Sequence, residues 1–126
     1  SFQVQRILAN TMKEKDVHYK SGLVHSTDYR FWEFDKPFRA RLREVKALAI
    51  EMECAALFTA AFRMKVPIGA LLLVSDLPLT IGGIKTSSLQ KKVFKKHIAS
   101  HLAVAVDAIE NIRIIPDAID LRHFQW

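Results

Sequence analysis

Hydrophobic spacing changes character repeatedly between Val45 and Val74, and the changes divide this stretch into a strand, a helix, a turn and a second strand. Val45 to Ile50 is a short, mostly apolar run of strand length. Cys54 to Arg63 follows at helical length, and its small residues Ala55, Ala56, Ala60 and Ala61 let a helix lie close against a sheet. Lys65 to Gly69, broken by Pro67, reads as a turn. Ala70 to Val74 is continuously apolar and predicts a buried strand. The order is β-α-β. Such a crossover sets parallel strands side by side with their C-terminal ends on one sheet edge.

Upstream, helical spacing through Phe2, Gln5, Ile7, Leu8 and Thr11 predicts a helix over Phe2 to Met12, running into the charged stretch Lys13 to Asp16. Val17 to Tyr19 is a short strand candidate. Gly22 to Thr27 is a stronger one, with Leu23 and Val24 apolar and Ser26 and Thr27 polar at its end. Asp28 to Arg43 mixes aromatic and charged residues without a clean period. It predicts a structured loop and then a short helix from Pro37 to Arg43, because proline suits a helix start. Thr80 to Ser87, with Gly82 and Gly83, reads as a mobile loop. Ser88 to about Ile112 predicts a last helix, apolar at Leu89, Val93, Phe94, Ile98, Leu102, Val106 and Ile109. Ile114 to Trp126 has apolar residues but no helical period, and either clasps its own domain or meets a neighbouring subunit.

With 126 residues, 14.4 kDa and 50% apolar residues, the chain is long enough for one core and too short for two ordinary domains. A net charge of +6 and a pI near 9.7 favour an anionic partner, which a phosphorylated metabolite satisfies as well as a polymer does. Lys91, Lys92, Lys95 and Lys96 form the basic cluster, and they fall on the polar face of the last helix as a solvated stripe. Nucleic-acid binding is therefore not expected. Cys54 is the single cysteine, which rules out an intrachain disulfide and makes the cytoplasm the expected compartment. Lys65 and Pro67 cut the apolar tract well short of a bilayer span, so no membrane insertion is expected. His18, His25, His97, His101 and His123 lack a zinc-binding spacing, and Cys54 has no adjacent activating residue. No metal or cofactor is expected.

Candidate chemistry gathers at two acidic clusters: Ile50-Glu51-Met52-Glu53 before the central helix, and Val74-Ser75-Asp76 after the last predicted strand. Each has an ordinary structural explanation. Glu53 would stabilise the start of the following helix by its charge, and Ser75-Asp76 before Pro78 would make a turn. Spelled out, however, Glu51-Met52-Glu53-Cys54-Ala55-Ala56 and Val74-Ser75-Asp76-Leu77-Pro78 resemble the signatures of the purine nucleoside phosphorylase and uridine phosphorylase family. Within it, Arg63 to Pro67, Leu71 to Pro78 and Ile84-Lys85 are similar to the branch of bacterial AMP nucleosidases.

The resemblance runs over roughly Tyr19 to Glu110 and implies an α/β, three-layer nucleoside phosphorylase-like fold with a mixed central sheet. In the family that region is the second half of a larger domain. Residues 1–126 are accordingly expected to be the C-terminal part of a single catalytic domain, and to lack turnover when isolated. The implied reaction is hydrolysis of AMP to adenine and ribose 5-phosphate. Phosphorolysis of a purine nucleoside and plain nucleotide binding are the alternatives. In that reading Glu53 accepts hydrogen bonds from two ribose hydroxyls, Met52 gives the sugar an apolar surface, and Glu51 and Ser75 are secondary contacts. Asp76 is the acid that donates to N7 of the purine. The family pattern of serine, aspartate and phenylalanine at alternate positions is matched by Ser26-Thr27-Asp28-Tyr29-Arg30-Phe31 with one additional residue. Phe31 is thus the leading expectation for the base wall, the additional residue leaving Arg30 and Trp32 as alternatives for that contact; Arg30 is otherwise a phosphate contact, and a purely structural aromatic cluster is the further alternative. Lys85 beside the glycine pair would reach the 5′-phosphate or Asp76. A homo-oligomer is implied, a hexamer built from dimers being the family arrangement.

Overall fold

The computed structural model describes residues 1–80 and 86–114. Helix α1 spans Phe2–Glu14 and turns Val4, Ile7, Leu8, Thr11 and Met12 inward. These positions lie on one face because residues three and four apart stack along a helix. The long helix α4, Ser87–Ile114, packs against it. Val4, Ile7, Leu8 and Ala108 form the core cluster, with Leu71 and Ile112 packed on its margin. The expected first and last helices are both present, the first running two residues further and the last starting one residue earlier and ending two later.

Strand β1, Val24–Ser26, and strand β2, Ala49–Glu51, form a parallel pair in the register Val24↔Ala49, His25↔Ile50 and Ser26↔Glu51. The connection between them holds a short 3₁₀ turn, Trp32–Phe34, and helix α2, Lys36–Glu44. Asp35 starts α2 by accepting from the Phe38 N–H at 2.9 Å, and Pro37 sits in the first turn, where its missing N–H is harmless. Helix α3, Cys54–Met64, leaves β2 and ends at Lys65 in the left-handed conformation, with the Val66 N–H returning to the Ala61 carbonyl at 2.9 Å.

The structure corrects three strand expectations. Val45 and Lys46 belong to the end of α2, where the N–H groups of Val45, Lys46 and Ala47 return to the carbonyls of Arg41, Arg43 and Leu42. The β2 strand is thereby shortened to its last residues. Val17 to Tyr19 has no strand pairing. Ala70 to Val74 is likewise outside the sheet, which among the described residues contains β1 and β2 only. This segment takes α1 as its neighbour instead of a strand. A Cβ built on Gly69 would come within 2.7 Å of the Val4 side chain and 3.2 Å of Leu8, so glycine is what lets the backbone approach the helix. The parallel β-α-β unit therefore lies between β1 and β2, one element earlier than the hydrophobic pattern placed it. Residues 81–85, in the loop expected over Thr80 to Ser87, and the tail 115–126 lie outside the described residues.

Candidate functional site

Parallel pairing in this register brings Ser26 opposite Glu51 at the C-terminal ends of the strands. The Ser26 hydroxyl donates to Glu51 Oε1, and it accepts from the Ala55 N–H at 3.0 Å. Glu51 Oε2 accepts from the N–H of Glu53 at 2.7 Å and from that of Cys54 at 2.5 Å. The Thr27 N–H closes the ladder on the Glu51 carbonyl at 3.0 Å. Two side chains thus satisfy three backbone donors at the entrance to α3, donors that a helix leaves without intrahelical partners.

These contacts set the charge state of the cluster. Partial burial opposes ionisation of Glu51. The Ser26 hydroxyl, the N–H groups of Cys54 and Glu53 and the Cys54 thiol outweigh it and hold the carboxyl at about 2, against an ordinary 4.5. Burial pushes the Cys54 thiol up to about 11, helped by the Glu51 carboxylate it donates to and by the negative charges of Glu51 and Glu53. At neutral pH the thiol is protonated, as the packing role expected for Cys54 requires.

Glu53 is placed differently. It stands at the N-cap position of α3 but makes no side-chain cap; its Oε2 accepts from the Met52 N–H at 3.3 Å and the residue is exposed. Capping by hydrogen bonds has passed to Glu51, two residues earlier. Met52 is exposed beside it. Both Glu51 oxygens face the protein's own backbone and Ser26, whereas Glu53 faces outward.

Asp76 is half-buried, and Oδ1 accepts from the Ser75 hydroxyl at 2.5 Å. The Thr80 N–H and hydroxyl both return to the Leu77 carbonyl, at 2.9 and 2.8 Å, which makes the turn expected after Asp76. A cleft of about 1040 Å³ is lined by Ser26, Cys54 and Ala55 on one side and by Val74 on the other, and the carboxylates of Glu51, Glu53 and Asp76 are not part of its lining. Among the described residues no hydrogen bond joins Asp76 to Glu51 or Glu53.

The aromatic loop separates into two parts. Phe38 is its centre, with edge-on contacts to His25 at 5.5 Å and Tyr29 at 5.7 Å and a tilted contact to Trp32 at 6.3 Å. Phe31 stands outside this cluster, held at φ 63° and 70% exposed, with Arg30 exposed next to it. A positive φ is uncommon for a bulky residue; Asp16, Lys46 and Lys65 share it, each just past the end of a helix. Lys85 lies outside the described residues. Among the described residues no group of three histidine, cysteine or acidic side chains is arranged to hold a metal, and no helix is long and apolar enough to cross a membrane.

Ser26 is the functional candidate that sequence reasoning placed at a strand end without assigning it a partner. Aligning Gly22 to Thr27 with Val45 to Ile50 by their ends would set Ser26 opposite Ala49; the observed register lies two residues further along and sets it opposite Glu51.

A family model of the phosphorylase superfamily matches residues 1–110. The chain belongs to the phosphorylase superfamily. That match takes in α1 to α3, both strands, most of α4 and every candidate residue from Arg30 to Lys85. Two relatives of this superfamily chain, the AMP nucleosidases of Escherichia coli K12 and of Escherichia coli O157:H7, are each 33% identical to it over 95% of its length. The chain spans 26% of the length of either relative.

Proposed function

We propose that the protein is an AMP nucleosidase, in which residues 1–126 form the C-terminal part of a single three-layer, nucleoside phosphorylase-like catalytic domain with a mixed central sheet. The observation that carries this reading is the division of labour between Glu51 and Glu53. Because Glu51 already satisfies the first amides of α3, Glu53 is left exposed at the sheet edge beside Met52. A carboxylate so placed suits a pair of vicinal hydroxyls, which offer two donors and need two acceptors.

In this reading Glu53 and Met52 hold the ribose, Phe31 covers the adenine, Arg30 and Lys85 meet the 5′-phosphate, and Ser75 orients Asp76. Water forms a bond to the anomeric carbon while the bond from that carbon to N9 breaks, and the electron pair stays on adenine. Asp76 supplies a proton to N7, which makes adenine a better leaving group. The proton lost by the attacking water balances the one adenine gains. Glu53, negative and close to the sugar, favours the positive charge that develops on it.

The intact protein should release adenine and ribose 5-phosphate from AMP in buffer free of phosphate. Cleavage that occurs only with inorganic phosphate, on nucleosides and with ribose 1-phosphate as product, would replace hydrolysis by phosphorolysis. The active form is proposed to be a homo-oligomer, so light scattering and activity over one dilution series should fall together.

A further inference from the structure

We infer that Ser26 and Glu51 form a latch that positions Glu53 for the sugar, so that Glu51 is a positioning residue rather than a substrate contact. This rests on the reading that Glu53 binds ribose hydroxyls. Three observations lead to it. Both carboxylate oxygens of Glu51 are engaged inside the protein, one by Ser26 and the other by two successive N–H groups. One of those N–H groups belongs to Glu53 itself, at 2.7 Å, so Glu51 fixes the peptide from which the Glu53 side chain leaves. Ser26 also accepts from Ala55 at 3.0 Å, which ties the same turn to the neighbouring strand.

Together these bonds tie the turn between β2 and α3 to the ends of both strands. Residues 52 and 53 lie between the tied points, and a short turn held on both sides has few backbone conformations left. Glu53 is then presented to a sugar without ordering the turn on binding, and pre-organisation of that kind lowers the cost of reaching the reactive geometry. The hydroxyl of Ser26 is essential because it donates and accepts at once. Alanine would abolish both bonds and threonine would keep both.

The test uses the intact protein with Ser26→Ala, Ser26→Thr, Glu51→Gln, Glu53→Ala and the double variant Glu51→Gln/Glu53→Ala. Amide hydrogen exchange read at residues 53–55 should speed up in Ser26→Ala and Glu51→Gln and return to the parent rate in Ser26→Thr. Glu51→Gln should lower kcat/KM for AMP roughly tenfold, the scale of one lost charge-assisted hydrogen bond. In the Glu53→Ala background the same substitution should have almost no further effect, because the group it positions is gone. Exchange at 53–55 that is unchanged in Ser26→Ala would overturn the latch. A full additional tenfold loss in the double variant would overturn it too, and would make Glu51 a direct contact. If Glu53→Ala alone leaves kcat/KM intact, the ribose reading fails, and the exchange rates still decide whether the latch exists.

Discussion

Thr11 in α1 and Asn111 in α4 are joined by a hydrogen bond of 3.1 Å across 100 residues of sequence. Thr11 is 1% exposed, and its hydroxyl also donates to the Ile7 carbonyl at 3.0 Å. It therefore uses its donor within its own helix and offers its lone pair to the other. This polar pair lies in the interface that the apolar core of α1 and α4 builds.

Thr11→Val keeps the branched shape but removes the acceptor for the Asn111 amide. It should destabilise the protein by about 1–3 kcal/mol, the cost of leaving one inward polar group unpaired. Urea denaturation of the purified protein would read this as a lower midpoint with an unchanged slope. A midpoint equal to that of the parent would show that the bond carries no weight.

Glu51 should make stability depend on acid. Its folded value of about 2 lies below the ordinary 4.5, so the unfolded chain takes up a proton first as the pH falls. The contribution is fully present above about pH 4.5 and is lost progressively toward pH 2. Comparing the parent with Glu51→Gln by denaturation at a series of pH values isolates it. The gap in stability should be constant from pH 7 to 5 and close below that. A gap that stays constant down to pH 2.5 would contradict the contacts described for this carboxylate.

Cys54 should resist alkylation at neutral pH. With the thiol held at about 11 rather than 9.0, the rate with iodoacetamide should keep rising beyond pH 9 instead of levelling there. Glu51→Gln replaces the charged acceptor by a neutral amide and removes one of the neighbouring charges, so it should raise the rate at pH 8. The same shift adds stability that is present below pH 9 and lost as the pH rises through 11. Rapid labelling of the parent at pH 7.5 would mean that the thiol is not held in this way.

The helices were legible in the sequence because each has its own local signal: the apolar spacing of α1 and α4, Pro37 in the first turn of α2, and the small residues of α3. Strands were less so, because a strand is defined by its neighbour. Ala70 to Val74 has a strand's composition, yet Gly69 brings it against Val4 and Leu8 of α1 instead of into a ladder. Val45 shows the opposite failure, a β-branched residue taken up by the end of α2 through the carbonyl of Arg41. At the site, the motif marked Glu51, Met52 and Glu53 together. Which carboxylate turns inward depends on the partner across the sheet, and Ser26 is 25 residues away in sequence.

Asp76 provides the most direct test of the proposed chemistry. Its Oδ1 is occupied by the Ser75 hydroxyl at 2.5 Å, so Oδ2 is the oxygen left to carry a proton to the base. Asparagine at this position keeps an acceptor toward Ser75 and an N–H₂ toward the base, so AMP should still bind with similar affinity by calorimetry. The amide has no acidic proton to transfer. Loss of a positioned acid of this kind lowers the rate by about 10²–10⁴-fold, or roughly 3–5 kcal/mol of transition-state stabilisation. Asp76→Asn in the intact protein should therefore lower kcat on that scale while leaving KM nearly unchanged. Ser75→Ala should have a smaller effect, about tenfold, because it removes the orienting bond and keeps the acid. Turnover of Asp76→Asn close to that of the parent would remove Asp76 from the mechanism and leave the exposed carboxylate of Glu53 without its partner in the reaction.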